Sequence, residues 1–176
     1  DHKYLEASTF KNGLALVKDF EGNNYFINKN GEKTLTLKAN KVKEFDFGLS
    51  ICMIGNLWGA YDSKGELKIK PDYNKLKVLN NKHVLAKKEK KYLLLKHDGR
   101  MVNDLVFDKL YYDDDFPYVI KQDKKYYVLD ENFQKINKAF DKLESFKGKY
   151  SLAKLEGQYQ LIDIRAKQIK KLNHDR

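Results

Sequence analysis

The chain has 176 residues, 41 % hydrophobic, 34 % charged and 13 % aromatic, with 12 Tyr, 10 Phe and 1 Trp. It is too apolar for a disordered chain and too polar for a membrane protein, and no apolar run approaches the roughly 18–20 residues of a membrane-spanning helix. A single cysteine, Cys52, excludes an internal disulfide and a multi-cysteine zinc site, while a net charge of +10, from 35 Lys+Arg against 25 Asp+Glu, favours acidic partners.

In chain order the sequence reads as a repeat. Tyr4-Leu5-Glu6-Ala7 mimics the tail of a preceding copy over 1–7. A first copy, about 10–42, holds the apolar strand Leu14-Ala15-Leu16-Val17 and the segment Asn24-Tyr25-Phe26-Ile27-Asn28-Lys29-Asn30-Gly31. The second, about 45–76, holds Leu49-Ser50-Ile51-Cys52-Met53, then Trp58-Gly59-Ala60-Tyr61-Asp62-Ser63-Lys64-Gly65, then Leu67, Ile69 and Tyr73-Asn74-Lys75-Leu76. The third, about 79–110, holds Val84-Leu85-Ala86, the segment from Tyr92 to Gly99, and Phe107-Asp108-Lys109-Leu110. The fourth, about 116–143, holds Tyr118-Val119-Ile120, the segment from Tyr126, and Phe140-Asp141-Lys142-Leu143. The fifth, about 146–172, holds Ser151-Leu152-Ala153 and the segment from Tyr159. The aromatic segments begin at 24, 58, 92, 126 and 159, and the second anchor recurs at 73, 107 and 140, so two markers share a period of 33–34 residues. Ala39-Asn40-Lys41-Val42 is a weaker copy of that anchor.

Each copy predicts three short strands separated by turns, the mark of an all-β architecture. Asp62-Ser63-Lys64-Gly65 places glycine where a hairpin loop requires a left-handed residue. Tyr61, Leu95, Leu129 and Ile162 share one large apolar position, and Ala60, Leu94, Val128 and Leu161 precede them. Apolar residues on both faces need cover on both faces, and in a repeat the neighbouring copy supplies it. The expected fold is one β-repeat domain over 1–176, of tandem three-stranded antiparallel meanders in an open array or solenoid. The alternative is a five-bladed, propeller-like ring. The open array is favoured because propeller blades carry four strands and about 40 residues or more.

The run Phe47-Gly48-Leu49 followed by Leu57-Trp58-Gly59-Ala60-Tyr61-Asp62-Ser63-Lys64-Gly65 and Ile69-Lys70-Pro71-Asp72-Tyr73 resembles the bacterial WG, or KWG, repeat. That family shows F-x-x-G-L-A, then K-W-G-Y-I-D-x-x-G, then I-x-P-x-Y-D. Copy one keeps Phe10, Gly13, Leu14, Ala15 and Gly31 but has Asn24-Tyr25 for Trp-Gly, and later copies replace Trp by Tyr. The resemblance covers roughly residues 10–172. It implies a bacterial scaffold of unassigned biochemistry, from the cell envelope or secreted rather than cytoplasmic. The first residue is Asp1, so either a leader has been removed or the chain is cut from something longer.

No catalytic constellation is expected. His2, His83, His97 and His174 form no pair at ligand spacing within one element, and no phosphate loop or nucleophile elbow is present. Asp113-Asp114-Asp115 reads as a solvated loop, lacking the glycine and distal glutamate of a calcium loop. Cys52 aligns with Ala86, Ile120 and Ala153, which predicts a small buried slot and an inert thiol.

Two rows remain as candidate binding residues. Trp58, Tyr92, Tyr126 and Tyr159 form an aromatic column that serves either ligand stacking or packing between copies. Lys87, Lys121 and Lys154 each lie five residues before the aromatic, with Met53 breaking the row in copy two. The alternative for these lysines is a set of solvated strand ends that discourage edge aggregation. The expected function is a non-enzymatic scaffold, without metal or cofactor, presenting a surface to a protein or glycan. A nucleic-acid or polyanion-binding module is the alternative, opposed by the presence of only three arginines, Arg100, Arg165 and Arg176. An enzyme on a β-propeller has no local support.

Overall fold

Turn residues at regular intervals break the chain into eighteen short strands among the described residues, 3–112 and 117–172 of a computed structural model. The chain divides into two compact units, Asp1–Asp104 and Leu105–Arg176. The first unit carries three sheets. They comprise β1 (Glu6–Ala7), β2 (Ala15–Lys18), β3 (Asn24–Ile27) and β4 (Lys33–Leu35); β5 (Lys41–Asp46), β6 (Leu49–Ile54), β7 (Leu57–Asp62) and β8 (Leu67–Tyr73); and β9 (Lys75–Val78), β10 (His83–Lys88) and β11 (Lys91–Lys96). The second unit carries β12 (Lys109–Tyr111), β13 (Val119–Gln122) and β14 (Lys125–Val128), then β15 (Lys142–Leu143), β16 (Tyr150–Leu155), β17 (Gln158–Asp163) and β18 (Gln168–Leu172). All five sheets are antiparallel meanders, and none closes on itself.

Two sheets have three strands and three have four. The strand ahead of each predicted first strand comes from the anchor region, and in the two three-stranded sheets the predicted third strand is reduced to the bridges of Leu95 to Met101 and of Leu129 to Lys135. Lys75–Val78 pairs with β10, which follows it, and Lys109–Tyr111 and Lys142–Leu143 pair with β13 and β16 in the same way. Only the first anchor residue faces backwards, as Tyr73 pairs with Trp58 and Phe140 with Tyr126. The anchor is therefore where the chain steps from one sheet to the next. Glu6–Ala7 stands in the same relation to β2.

The anchor's second residue explains why it recurs. The backbone N–H groups of Asn40, Asn74, Asp108 and Asp141 donate to the carbonyls of Met53, Lys87, Lys121 and Lys154 at 2.7–2.8 Å. Asn40 Oδ1 accepts from the Gly55 N–H at 2.7 Å, and Asp108 Oδ2 from the Asp123 N–H at 2.8 Å. Asn74 does the same for Glu89. Each acceptor lies 15 residues ahead of a turn residue held at positive φ, Gly55 at 63°, Glu89 at 55° and Asp123 at 50°. A short polar side chain thus caps the hairpin between the apolar strand and the aromatic strand in the second, third and fourth sheets.

The second hairpin is capped from within. Asp62 Oδ1 accepts from the N–H groups of Lys64 and Glu66 at 2.9 Å, and Asn28, Asp130 and Asp163 repeat the pattern. Such Asx turns give the backbone local partners. Gly59 has a different constraint. A Cβ there would stand 2.6 Å from the Ile69 carbonyl oxygen, where β8 shifts register around Pro71. The glycine of the Trp-Gly pair admits a bulged third strand close against the second.

Within each unit the apolar faces cover one another, as the sequence predicts. Phe26, Leu14 and Leu16 of the first sheet meet Phe45, Cys52 and Tyr61 of the second, with the Phe26 and Phe45 rings 4.6 Å apart. Leu49, Ile51, Ala60 and Ile69 pack with Leu76, Val84, Ala86 and Leu95 of the third. In the second unit Val119 and Val128 pack with Phe140, Ala153 and Ile162. Leu95, Leu129 and Ile162 are fully buried, and Tyr61 at the same repeat position is half-buried.

Candidate functional site

Antiparallel register decides which side chains meet. Residues directly opposite share a face and stand about 5 Å apart. Lys87 lies opposite Tyr92, Lys121 opposite Tyr126 and Lys154 opposite Tyr159. Each ammonium sits over its ring, 5.5, 5.4 and 5.3 Å from the centroid. The lysine and aromatic rows are thus one structural feature repeated three times. Met53 faces Trp58 in the second sheet, and Lys43, from the bulged part of β5, supplies the cation at 4.9 Å from that ring.

On the other side of each lysine stands a second one. Lys75 lies opposite Lys87, Lys109 opposite Lys121 and Lys142 opposite Lys154. Three consecutive sheets therefore present the triplet Lys–Lys–Tyr across three strands. Like charges directly opposite destabilise a sheet pair. The first sheet shows the relaxed arrangement. There Glu6 lies opposite Lys18 with an ion pair at 3.3 Å, and Asn24 takes the aromatic's place. Among the described residues, Lys75, Lys87, Lys109, Lys121 and Lys154 form no ion pair, and Lys142 reaches Glu144 at 3.9 Å. The outer lysines were legible as the third anchor residue, but only the register places them beside the inner row. Lys18 escaped because the loop after it is longer than in the later copies.

The second unit also carries a groove of about 930 Å³, lined chiefly by Tyr111, Tyr112, Tyr126, Phe146, Glu144 and Lys147. The Tyr111 and Tyr126 rings are 6.2 Å apart and inclined by 37°, and Lys109 Nζ stands 4.4 Å from the centre of Tyr111. The aromatic of one triplet is thus also a wall of this groove.

The remaining candidates lie apart from these rows. Cys52 is fully buried with its thiol 3.4 Å from the Ser50 hydroxyl, and burial pushes its pKa up, away from the thiolate. His97 Nε2 is 2.9 Å from the Asn80 carbonyl. His83 is held below the ordinary imidazole value, first by burial and then by His97. His2, His174 and the run Asp113-Asp114-Asp115 lie outside the described residues.

Residues 58–92, from Trp58 through β8, β9 and β10 to Tyr92, match the family described as WG containing repeat. This segment is similar to a WG repeat. The match begins on Trp58 of the second sheet and ends on Tyr92 of the third, so the matched segment bridges two sheets. No curated protein matches the chain significantly. Among solved structures, BamB from Moraxella catarrhalis is similar over 97 % of this chain and 64 % of its own, at 12 % identity and a TM-score of 0.43. The WD40 β-propeller domain of Doa1 is similar over 85 % and 60 %, at 12 % identity and 0.39. A eukaryotic initiation factor is similar over 98 % and 56 %, at 10 % identity and 0.45. The chain spans less than two thirds of the length of each.

Proposed function

We propose that the chain is a non-enzymatic binding scaffold of five degenerate WG copies, presenting a lysine-and-tyrosine surface to a protein or glycan of negative charge. The observation that carries this is the placement of Lys75, Lys109 and Lys142 directly opposite Lys87, Lys121 and Lys154. Two ammonium groups side by side cost the sheet stability, and an anion lodged between them turns that repulsion into attraction. The Glu6–Lys18 pair shows that the same register accommodates an ion pair. The half-buried tyrosines pack between strands and hold the inner ammonium groups by cation–π contact, worth about 0.5–1 kcal/mol each at exposed sites.

The test is a titration with a heparin-type polysaccharide and with single-stranded DNA at low and high salt. The variant Lys87→Gln/Lys121→Gln/Lys154→Gln removes the inner row. A control of equal charge, Lys29→Gln/Lys64→Gln/Lys90→Gln, alters hairpin tips. The row variant is expected to lose at least about tenfold in low-salt affinity, with a shallower salt dependence, and the control much less. Equal losses in both variants would reduce the effect to net charge, and absence of binding by the wild type would remove the reading.

A further inference from the structure

The groove of the second unit gives the partner a more specific chemistry. We infer that it is a sugar-binding subsite for a carboxylated or sulfated glycan, in which Tyr111, Tyr112 and Tyr126 receive the apolar face of a sugar ring and Lys109 and Lys121 its anionic group. This rests on the anionic-partner reading above and names the ligand class for one part of that surface.

Three observations carry it. First, the groove, at about 930 Å³, is large enough for more than one sugar ring, and Tyr111 and Tyr112 are each 36 % exposed. Exposed tyrosines beside Leu110, Val119 and Leu143 make an apolar wall with hydroxyl tips, suited to a ligand that is apolar on one face and polar at its rim. Second, the charge of the site is mixed. Lys109 stands over Tyr111 and Lys121 over Tyr126, and Glu144, Ser145 and Lys147 line the groove itself. A carboxylate accepts hydrogen bonds from sugar hydroxyls but repels a phosphate at every unit of a chain. A glycan with one anionic group per ring or two suits this mixed lining better than a chain with a phosphate at every unit. Third, the Tyr111 and Tyr126 rings, 6.2 Å apart and inclined by 37°, leave no parallel slot for a flat base. They form a bent platform on which a puckered ring rests.

The experiment uses the full chain with three probes: a hyaluronan oligosaccharide, which carries a carboxylate on alternate rings; inorganic polyphosphate, which has no rings; and oligodeoxythymidylate. The variant Tyr111→Ser/Tyr112→Ser alters two exposed positions, and an unchanged thermal melt checks its fold. It is expected to weaken hyaluronan binding by about tenfold or more, as loss of aromatic contacts does, while polyphosphate binding is unchanged. The inner-row lysine variant is expected to weaken both. If the tyrosine variant binds hyaluronan like wild type while the lysine variant loses polyphosphate, the sugar subsite is wrong and the anionic surface stands. If wild type binds none of the three probes, both readings fall. Tighter binding of oligodeoxythymidylate than of hyaluronan, with the same tyrosine dependence, would make the groove a nucleic-acid site and overturn the glycan.

Discussion

Phe47 adopts φ = 45° in the tight turn before Gly48 and is 52 % exposed. Asn12 holds the corresponding place before Gly13 at φ = 51°. A left-handed residue costs an L side chain other than Gly, Asn or Asp about 1–2 kcal/mol, and two-residue hairpin turns therefore favour Asn-Gly. Phe47 meets that cost with little burial to offset it. Phe47→Asn is expected to stabilise the protein by about 0.5–1 kcal/mol, read as a higher urea midpoint with unchanged slope. A lower midpoint would show that the exposed ring contributes packing that outweighs the strain. Phe133 presents the opposite balance. It sits at φ = 59° where Gly31 and Gly65 stand in earlier copies, but its ring is buried against Tyr118, 4.9 Å away. The turn signal was readable in Asp62-Ser63-Lys64-Gly65 and in Asn28-Lys29-Asn30-Gly31. It was hidden in the fourth copy because packing, rather than backbone preference, decides that position.

Among the elements, the anchor strand has the most to teach. Its Asn or Asp reaches 15 residues ahead and satisfies the N–H of a left-handed turn residue. Asp108→Ala removes the acceptor from the Asp123 N–H and is expected to cost about 0.5–2 kcal/mol, as loss of a helix cap does. Asp108→Asn keeps an acceptor in place and is expected to lie near wild type. Paired denaturation curves compare the two, and equal losses would assign the effect to charge instead of the cap. The recurrence of Tyr73-Asn74-Lys75-Leu76, Phe107-Asp108-Lys109-Leu110 and Phe140-Asp141-Lys142-Leu143 was plain in the sequence. Their sheet was not, because a period specifies spacing and leaves phase open. A strand at the junction of two copies can extend either neighbour, and the choice depends on hydrogen bonds that close only in three dimensions.

At the scale of the whole molecule, stability is expected to depend on neighbours and on pH. Leu95 is fully buried in the core shared by the second and third sheets. Leu95→Ala is expected to cost about 2–5 kcal/mol in a denaturation experiment. A loss under about 1 kcal/mol would contradict its place in the core. An open array predicts a larger loss there than for Ile162→Ala in the last sheet, and a ring predicts similar losses. For pH, side-chain hydrogen bonds from Arg100 and Lys125 hold Asp98 and Asp141 below the ordinary carboxylate range, and one from Asn23 does so for Asp19. Burial holds His83 below the ordinary imidazole value. Each group binds its proton less readily folded than unfolded, so the unfolded chain takes up the extra protons as pH falls. Stability is expected to be full above about pH 6.5, to decline as the unfolded-state histidine titrates, and to decline again below about pH 4. Urea midpoints at about pH 7.5, 5 and 3 check this, and His83→Gln removes the first decline. A midpoint that rises from about pH 7.5 to 5 would contradict the burial of His83.

The sequence by itself determined the all-β class, the 33–34-residue period, the apolar positions that face neighbouring copies and the match between each lysine and the aromatic five residues later. These follow from short-range spacing, since strands alternate faces and hairpin loops set how far apart paired residues lie. Only the tertiary structure decided that the anchor lysines Lys75, Lys109 and Lys142 stand beside Lys87, Lys121 and Lys154, and that Tyr111 and Tyr126 share a groove with Phe146. Those contacts join different strands and, at the groove, neighbouring sheets, so they depend on register and packing, which no single strand encodes.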